Sequence, residues 1–326
     1  MPTIRDVARR AGVGLGTVSR FLNGGSISEE KKARIMVAIR ELDYQLNEVA
    51  RSLSTGRSKS VGLIIPDLLN PFYPALIHGV EEVCKAAGVM VILAHSAEDK
   101  ARVPELVRDV TQRGVDAIIC AAGPVYPPAV SVPLVMVDRV EGSVPFDSVA
   151  TDHEQGGRSA AEHLLARGHS RVAFVSGPED NAGVQGRWEG FEAAMRDWGL
   201  TPERLVGERL DFLQGYVLAE TYFKPLQSQP GARATAVFAS NDLMALGVIR
   251  AVTEAGLRVP TDVSVIGFDG IDAGDYVTPP LTSVAQPTLE LGRVAAQLAL
   301  ERAYEGYAGP VRSVRLRPQL TIRGSG

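Results

Sequence analysis

Three polar side chains stand close together near the start of the chain, and their chemistry suits contact with nucleic acid. Thr17, Ser19 and Arg20 fall on one side of a short helical pattern, and Val18 and Leu22 fall on the other. Hydroxyl and guanidinium groups hydrogen-bond phosphate oxygens and base edges when such a helix lies in a major groove. The spacing therefore predicts a helix that faces double-stranded DNA.

The elements that would position these side chains are two short helices joined by a tight turn. Thr3 and Asp6 have the spacing of a capping box, in which the Thr3 hydroxyl accepts from a free backbone N–H where the first helix begins. Gly12 falls where that helix must end, and Asn23-Gly24 is expected to close the second helix. The pattern is typical of a helix-turn-helix, although small helical domains of other kinds can also place a glycine between two amphipathic helices.

The distribution of charge favours a DNA-binding head over another kind of helical domain. Residues 1–59 carry eleven Lys or Arg against six Asp or Glu, whereas the other 267 residues carry 23 against 32. A basic segment on an acidic body indicates a polyanionic partner that is confined to one end of the molecule. A third helix, expected at 29–42 after the capping residue Ser28, would complete the head.

Length and composition limit the remaining possibilities. A chain of 326 residues with 45% hydrophobic content supports two or three domains with full cores. We expect a cytoplasmic protein, because no export signal and no apolar stretch of ~18 residues is recognisable. Cys84 and Cys120 lie in apolar contexts typical of core thiols, and the five histidines lack the spacing of metal ligands. The sequence therefore predicts no metal site and no cofactor.

From Val61 onward, short apolar runs alternate with amphipathic stretches, which predicts parallel sheets covered by helices on both faces. There are too many strands for one compact sheet, so we expect two doubly wound α/β lobes with a ligand crevice at the carboxyl ends of their strands. The expected strands lie at 61–65, 89–94, 117–120, 134–137, 172–175, 236–239 and 263–268, and the expected helices lie near 73–87, 101–113, 154–167, 184–198, 213–226, 241–255 and 288–304.

Over its whole length the chain resembles the lactose/galactose repressor (LacI/GalR) family of bacterial transcription regulators. The motifs that carry the resemblance are TIRDVARRAGV, TVSRFLNG, ARSLSTGRSKSVGLIIPDLLNPFY, TDHEQGGRSAAEHLLARGHSRVAFVSGP, RWEGF, FASNDLMALG, DVSVIGFDG and TPPLTSVAQP. The resemblance implies a homodimeric repressor with a body like periplasmic binding proteins, a near-palindromic DNA operator and a small-molecule effector. It also implies a head at 1–46, a hinge helix and linker at 47–60, and a body at 61–326, with lobe 1 at about 61–155 and 287–316 and lobe 2 at about 156–285 and 317–326.

The resemblance also assigns DNA-contacting positions, at which this chain departs from the usual pattern. Leu15 and Gly16 occupy the positions that read base edges, and Gly14 stands where a phosphate-bonding serine is usual. Since Leu15 can only touch a thymine methyl and Gly16 has no side chain, we expect more of the readout from Arg20. In the hinge helix, Leu53 matches a leucine that wedges into a base step of the minor groove, unless it packs against the body instead. The predicted DNA contacts are Thr3, Leu15, Gly16, Thr17, Ser19, Arg20, Asn23, Ala50 and Leu53.

The effector site is expected where polar and aromatic residues follow strands. Asp67, Asn70, Phe72 and Tyr73 follow the first body strand, and an aromatic ring beside carboxylate and amide groups suits a polyhydroxylated ring. Asp67 and Asp138 could instead brace loops, and Asn241 could cap a helix. A sugar or sugar derivative is the first choice of effector, and a nucleoside or nucleobase is the second. Asp138 ends another strand in the same way and is expected in the same site. The resemblance adds further contacts, which are Arg187, Asn241, Asp269 and, as the aromatic wall, Phe212.

Two other classes of protein fit the sequence less well. A solute-binding protein of a transporter would share the two-lobed body, but it would have an export signal and no use for a basic head. The run AGVGLG at 11–16 superficially resembles the phosphate loop of a nucleotide-dependent enzyme, yet such a loop follows a buried strand, and the preceding RDVARR is charged and helical. No catalytic set of side chains is recognisable, so we do not expect an enzyme.

Overall fold

The computed structural model describes residues 2–22, 25–45, 56–123, 130–138, 145–226 and 231–326. The chain divides into two compact units, Met1–Ser58 and Lys59–Gly326, which we call the head and the body. The positions Asn23, Ala50 and Leu53, and with them the predicted hinge helix, lie outside the described residues.

The described residues of the head form three helices around a small core of their own. They are α1 (Ile4–Ala11), α2 (Leu15–Leu22) and α3 (Glu29–Glu41), and their fully buried side chains include Val7, Val18 and Ile35. The predicted capping box is present at the start of α1, where the Asp6 carboxylate accepts from the Thr3 amide at 2.9 Å and from the Thr3 hydroxyl at 2.7 Å.

Gly12 ends the first helix of the head and turns the chain toward the second. Its φ of +62° is a left-handed conformation that glycine adopts without steric cost. Arg34 of α3 donates to the Gly12 carbonyl at 2.8 Å, so the turn is also fastened to the third helix. This arrangement sets the angle at which α2 leaves the turn.

The body, as far as its residues are described, forms two six-stranded sheets, each covered by helices. The first sheet has the order β11-β5-β4-β3-β1-β2 and is parallel throughout. The second has the order β12-β10-β9-β8-β6-β7 and is parallel except for β12, which runs antiparallel to β10. The strands are β1 (Ser60–Ile65), β2 (Met90–His95), β3 (Ala117–Cys120), β4 (Leu134–Val137), β5 (Asp147–Thr151), β6 (Val172–Ser176), β7 (Glu203–Val206), β8 (Ala236–Ala239), β9 (Ser264–Asp269), β10 (Thr282–Ala285), β11 (Ser313–Leu316) and β12 (Gln319–Thr321).

Each sheet with its helices forms one lobe. Helix α4 packs against α10 in the first lobe, and α6 packs against α7 in the second. The body helices are α4 (Phe72–Ala86), α5 (Val103–Gln112), α6 (His153–Ala166), α7 (Ala182–Asp197), α8 (Phe212–Phe223), α9 (Asp242–Glu254) and α10 (Thr288–Tyr304). All seven strands and seven body helices predicted from the sequence are present, with ends within three residues of the expected ones.

The chain passes between the two sheets at three places within the described residues. These crossovers follow β5, β10 and β11, close to residues 152, 286 and 317. Because the strands of each sheet are parallel, the loops at their carboxyl ends meet along the crevice between the lobes. Asn70, Asp138, His153 and Asp269 all lie at or just after such strand ends. The fold therefore gathers polar side chains from distant parts of the chain.

Candidate functional site

The second helix of the head presents a mixed surface. Val18 is buried, whereas Leu15 is 43% exposed, and Gly16 and Arg20 are also exposed. Thr17 and Ser19 are half-buried. At the start of α1, the Thr3 hydroxyl donates a hydrogen bond to Asp6. The hydroxyl oxygen can then offer only its lone pairs to another partner. A phosphate oxygen needs a donor, so contact with phosphate would require Thr3 to leave Asp6.

A second candidate site is a cavity between the two lobes of the body. Seven of the nine predicted effector contacts line it, and two do not. Its lining residues are Asn70, Phe72, Tyr73, Glu98, Asp138, Asn181, Val184, Arg187, Leu210, Asn241, Asp269 and Gln286.

Arg187 lines this cavity and is only 6% exposed. Its Nε donates to His153 Nδ1 at 3.2 Å, and its Nη1 donates to the carbonyl of Ser240. The guanidinium lies over the Phe268 ring, 3.8 Å from the centroid, and its Nη2 is 3.9 Å from Asp269 Oδ1. A buried cation in this position offers fixed, planar donors to hydroxyl or carbonyl oxygens of a ligand.

Asp138 faces Arg187 from the other lobe. Its Oδ1 accepts from the Thr151 amide at 3.0 Å and lies 2.9 Å from His153 Nε2. Burial alone would raise the pKa of Asp138, but His153, Arg187 and the Thr151 amide together hold that pKa below its usual value. Asp138 is therefore a carboxylate near neutral pH and can accept hydrogen bonds from ligand hydroxyl groups.

Asp269 is the second carboxylate of the cavity, and its electrostatic environment differs. It accepts from Gln286 Nε2 at 2.7 Å. Burial raises the pKa of Asp269 to about 7; Arg187 opposes this rise, while the nearby Asp242 and Asp138 add to it. Its φ of +120° is also uncommon for a residue other than glycine, and Asp138 has a φ of +61°. Backbone strain of this kind concentrates at binding sites.

Two asparagines at the mouth of the cavity, one from each lobe, have their side-chain oxygens engaged. Asn70 Oδ1 accepts from the Phe72 amide at 3.0 Å, and Asn181 Oδ1 accepts from the amides of Gly183 and Val184. The Asn70 oxygen is engaged by the backbone at the start of α4, and the Asn181 oxygen caps α7. The two amide nitrogens are therefore the groups that remain to donate to a ligand.

Asn241 and Asp67 lie where the alternative interpretations of the sequence put them. Asn241 Oδ1 caps α9 by accepting from Met244 N at 2.8 Å, and its Nδ2 donates to the Leu210 carbonyl, although the residue also lines the cavity. Asp67 accepts from Leu69 N at 2.9 Å within its own loop and lines an adjoining outer pocket.

Comparison with known proteins gives two matches that together cover most of the chain. Residues 3–47 match the family "Bacterial regulatory proteins, lacI family", and residues 161–326 match the periplasmic binding protein-like domain. The ribose operon repressor of Escherichia coli strain K12 is 34% identical over 336 residues, covering 100% of both chains.

This chain belongs to the LacI family.

Two solved structures resemble this LacI-family chain. The crystal structure of the Lac repressor dimer bound to operator and an anti-inducer has a TM-score of 0.86 at 26% identity and covers 99% of this chain and 98% of that one. A LacI-family regulator of Enterococcus faecium with bound ribose has a TM-score of 0.72 at 31% identity and covers 82% and 98% respectively. This chain is thus a DNA-binding regulator with an effector-binding body and not an enzyme. No helix among its described residues is long and apolar enough to cross a membrane.

Phe212 does not lie where the sequence placed it in this LacI-family body. It begins α8, is 43% exposed and does not line the cavity. Leu210, two residues earlier, lines the wall in its place. The physical reason is local, because Asp211 caps α8 by accepting from Gln214 N at 2.8 Å and so makes Phe212 the first residue of the helix. The residue predicted as the aromatic wall is therefore not part of the wall of this cavity.

Glu98 lines the cavity and was not predicted, and the same is true of three polar residues that lie in the cavity wall or directly behind it. His153 and Gln286 hold Arg187 and Asp269 in place, and Asn181 offers an amide donor. His153 and Gln286 both follow strands that lack an apolar pattern, so no strand end was predicted near either residue. Asn181 precedes a predicted helix and could have been recognised as its cap.

The raised pKa of Asp269 predicts a pH dependence of stability. Between about pH 4 and pH 7, Asp269 keeps a proton in the folded protein that an unfolded aspartate releases. The contribution of Asp269 to stability is therefore present below pH 4 and is lost as the pH rises through about 7. Asparagine tolerates a positive φ and does not titrate, so Asp269→Asn is the reference variant. Relative to this variant, the wild type should lose at least about 1 kcal/mol of unfolding free energy between pH 5 and pH 8. Urea unfolding at several pH values measures the difference, and a constant difference would contradict the assignment.

Proposed function

We propose that this LacI-family protein is a homodimeric, sequence-specific transcriptional repressor whose affinity for a near-palindromic operator is controlled by an uncharged sugar bound between the lobes. The observation that carries the proposal is the buried Arg187 guanidinium, held between the carboxylates Asp138 and Asp269 at the strand ends of both lobes. Such a set binds one small polar molecule and touches both lobes at once.

The arrangement of donors and acceptors supports a polyhydroxylated ligand. Asp138 and Asp269 accept from hydroxyl groups, Arg187 donates to oxygens, and the amide nitrogens of Asn70 and Asn181 donate at the mouth. Phe72 and Tyr73 line the same cavity, with ring centroids 5.1 Å apart in an edge-to-face pair. A sugar offers both hydroxyls and an apolar C–H face to such a wall. The relatives named for ribose, or solved with ribose bound, are consistent with this class of ligand.

The charge of the outer pocket supports a neutral ligand. Five acidic residues and two cations line this pocket, and each cation is paired with an acid. Lys100 Nζ lies 2.5 Å from Asp180 Oδ2, and Arg209 Nη2 lies 2.6 Å from Asp211 Oδ2. A phosphorylated sugar would therefore enter against a net negative potential. The acids are Asp67, Glu98, Asp180, Glu208 and Asp211.

Control of DNA binding requires that the effector prefer one arrangement of the lobes. Because contacts come from both lobes, a ligand can bind one arrangement more tightly than the other. By linkage, operator DNA must then change the affinity for the effector by the same factor as the effector changes the affinity for DNA. In a two-fold symmetric dimer the two heads read two symmetric half-sites.

A thermal-shift panel tests the effector class. The full chain is heated with neutral pentoses and hexoses, their phosphate esters, nucleosides and nucleobases. A neutral sugar present at 100 times its Kd should add about 2.7 kcal/mol of stability. Stabilisation by a sugar phosphate or by a nucleobase alone would overturn the proposed class. Selection from random duplexes tests the DNA part, and recovery of no near-palindromic site would overturn it.

Leu53→Ala tests the predicted minor-groove wedge. An apolar wedge acts only where the DNA is bent at the specific site, so we expect operator affinity to fall by about tenfold or more while affinity for random DNA stays unchanged. Met36→Ala is the matched control, because Met36 is an exposed apolar side chain of the head with no predicted DNA contact. Gel-shift titrations on both kinds of DNA measure the difference. Equal losses on operator and random DNA would contradict the wedge.

A further inference from the structure

We propose that His153 is the positioning residue that holds Arg187 toward the effector and links it to Asp138 in the other lobe. This inference rests on the proposed function and specifies how binding in the cavity is transmitted between lobes. His153 is the first residue of α6, directly after the first crossover, and is 8% exposed.

The hydrogen bonds of His153 fix a single tautomer. A guanidinium can only donate, so His153 Nδ1, at 3.2 Å from Arg187 Nε, must be the acceptor and carries no proton. The ring proton therefore lies on Nε2, which donates to Asp138 Oδ1 at 2.9 Å. In this state the imidazole is neutral and binds a side chain of each lobe.

His153 belongs to a closed loop of polar contacts that passes through two crossovers. Asp138 also accepts from the Thr151 amide, and the Thr151 hydroxyl donates to Gln286 Oε1 at 2.6 Å. Gln286 in turn donates to Asp269, whose Oδ1 lies 3.9 Å from Arg187 Nη2. A ligand that moves Arg187 or Asp269 must therefore strain or break contacts at the points where the lobes are joined.

Close packing holds the His153 ring in this position. A Cβ atom added at Gly183 would lie 3.1 Å from His153 Nε2, and one added at Gly186 would lie 3.0 Å from His153 Cβ. The Phe268 ring, which also lies under Arg187, has its centroid 5.7 Å from that of His153. The imidazole thus has little room to turn away from its two partners.

Two substitutions separate the two contacts of His153. In His153→Asn the amide oxygen replaces Nδ1 and keeps the acceptor for Arg187, but the link to Asp138 is lost. In His153→Gln the amide nitrogen replaces Nε2 and keeps the donor to Asp138, but the acceptor for Arg187 is lost. A purely structural role would make both variants fail in the same way.

The first measurement needs no effector. With ¹⁵N-labelled histidine in the full chain, the His153 signals, assigned by their absence in His153→Asn, should show an unprotonated Nδ1 and a protonated Nε2. Arg187→Met should change the Nδ1 signal. A protonated Nδ1 in the wild type, or a signal insensitive to Arg187→Met, would overturn the proposal.

The second measurement uses D-ribose as the probe. We expect His153→Gln to raise the Kd for ribose by about tenfold or more, because Arg187 loses its positioning contact. We expect His153→Asn to stay within about threefold of the wild-type Kd while ribose no longer changes operator affinity. If ribose changed the operator affinity of His153→Asn as it changes that of the wild type, the proposed link between the lobes would be overturned. Absence of ribose binding to the wild type would count against the proposed effector class and leave the ¹⁵N signals to decide the role of His153.

Discussion

Arg187→Met is expected to abolish the response to effector while operator binding persists. Methionine retains apolar contact with Phe268 but removes every donor that Arg187 offers to the cavity. Loss of a charged hydrogen-bonding group from a buried site costs a ligand about 2 kcal/mol or more, which corresponds to at least about thirtyfold in Kd. Gel-shift titrations with and without the effector measure both properties on the same protein.

Arg204→Met is the matched control for this experiment. Arg204 also lies over an aromatic ring of the second lobe, 4.8 Å from the Trp188 centroid, but it does not line the cavity. We expect this variant to respond to effector as the wild type does. Arg187→Met removes the cation beside the Asp138 carboxylate and the Asp269 carboxyl group. The double variant with Asp269→Asn, which has one acid fewer in the cavity, therefore checks that a lost response does not come from loss of folding. If correctly folded Arg187→Met lost operator binding in the absence of effector, the site assignment would be wrong.

Asp147→Asn is expected to have the largest effect on stability. The Asp147 side chain is fully buried at the start of β5 and accepts from Arg302 Nη2 at 2.6 Å and from Arg312 Nη2 at 2.8 Å. Arg302 lies on α10, and Arg312 lies just before β11. The Asp147 carboxylate therefore holds the segment that comes back from the second lobe against the first lobe. Removing one partner of a buried pair leaves uncompensated charge and should cost about 3 kcal/mol or more in unfolding free energy.

The contribution of Asp147 to stability depends on pH with the opposite sign to that of Asp269. Despite burial, hydrogen bonds from Arg302 and Arg312 lower the pKa of Asp147 to about 2, so its contribution is present above pH 4 and is lost as the pH falls through about 2. Asp262→Asn is the control, since the half-buried Asp262 contacts the exposed Arg258 at 2.9 Å, and the loss of a contact with a solvated arginine should change stability little. Equal effects of the two substitutions in urea unfolding would contradict the argument.

The sequence predicted those strands that are continuous apolar runs and missed those that are not. Strands β5 and β10 are buried but have the sequences DSVAT and TSVA, because their polar groups find partners inside the protein. Thr151 donates to Gln286, and Ser283 donates to Asp242 at 2.6 Å. Strands β7, β11 and β12 lie at sheet edges and are partly exposed, so they need no apolar run. An apolar pattern cannot reveal either kind of strand.

The same limit applies to the cavity. Residues at the ends of predicted strands, such as Asn70 and Asp138, could be assigned to the crevice from topology alone. Gln286 follows a strand that was not predicted, and it meets Thr151 across 135 residues of sequence. The role of His153 depends on its distances to Arg187 and Asp138, which no local pattern encodes. Contacts between segments that are distant in the sequence are therefore the part of the site that a local pattern cannot predict.

The backbone at Asp269 constrains how the specificity of this protein could evolve. With a φ of +120°, the position disfavours β-branched and bulky residues, whereas glycine, and to a lesser degree asparagine, can occupy it at lower steric cost. Conversion to asparagine would exchange a hydrogen-bond acceptor for a mixed donor and acceptor, and conversion to glycine would enlarge the crevice. A lineage that changes its effector therefore has asparagine and glycine available at this position, whereas a bulky apolar side chain there would be strained.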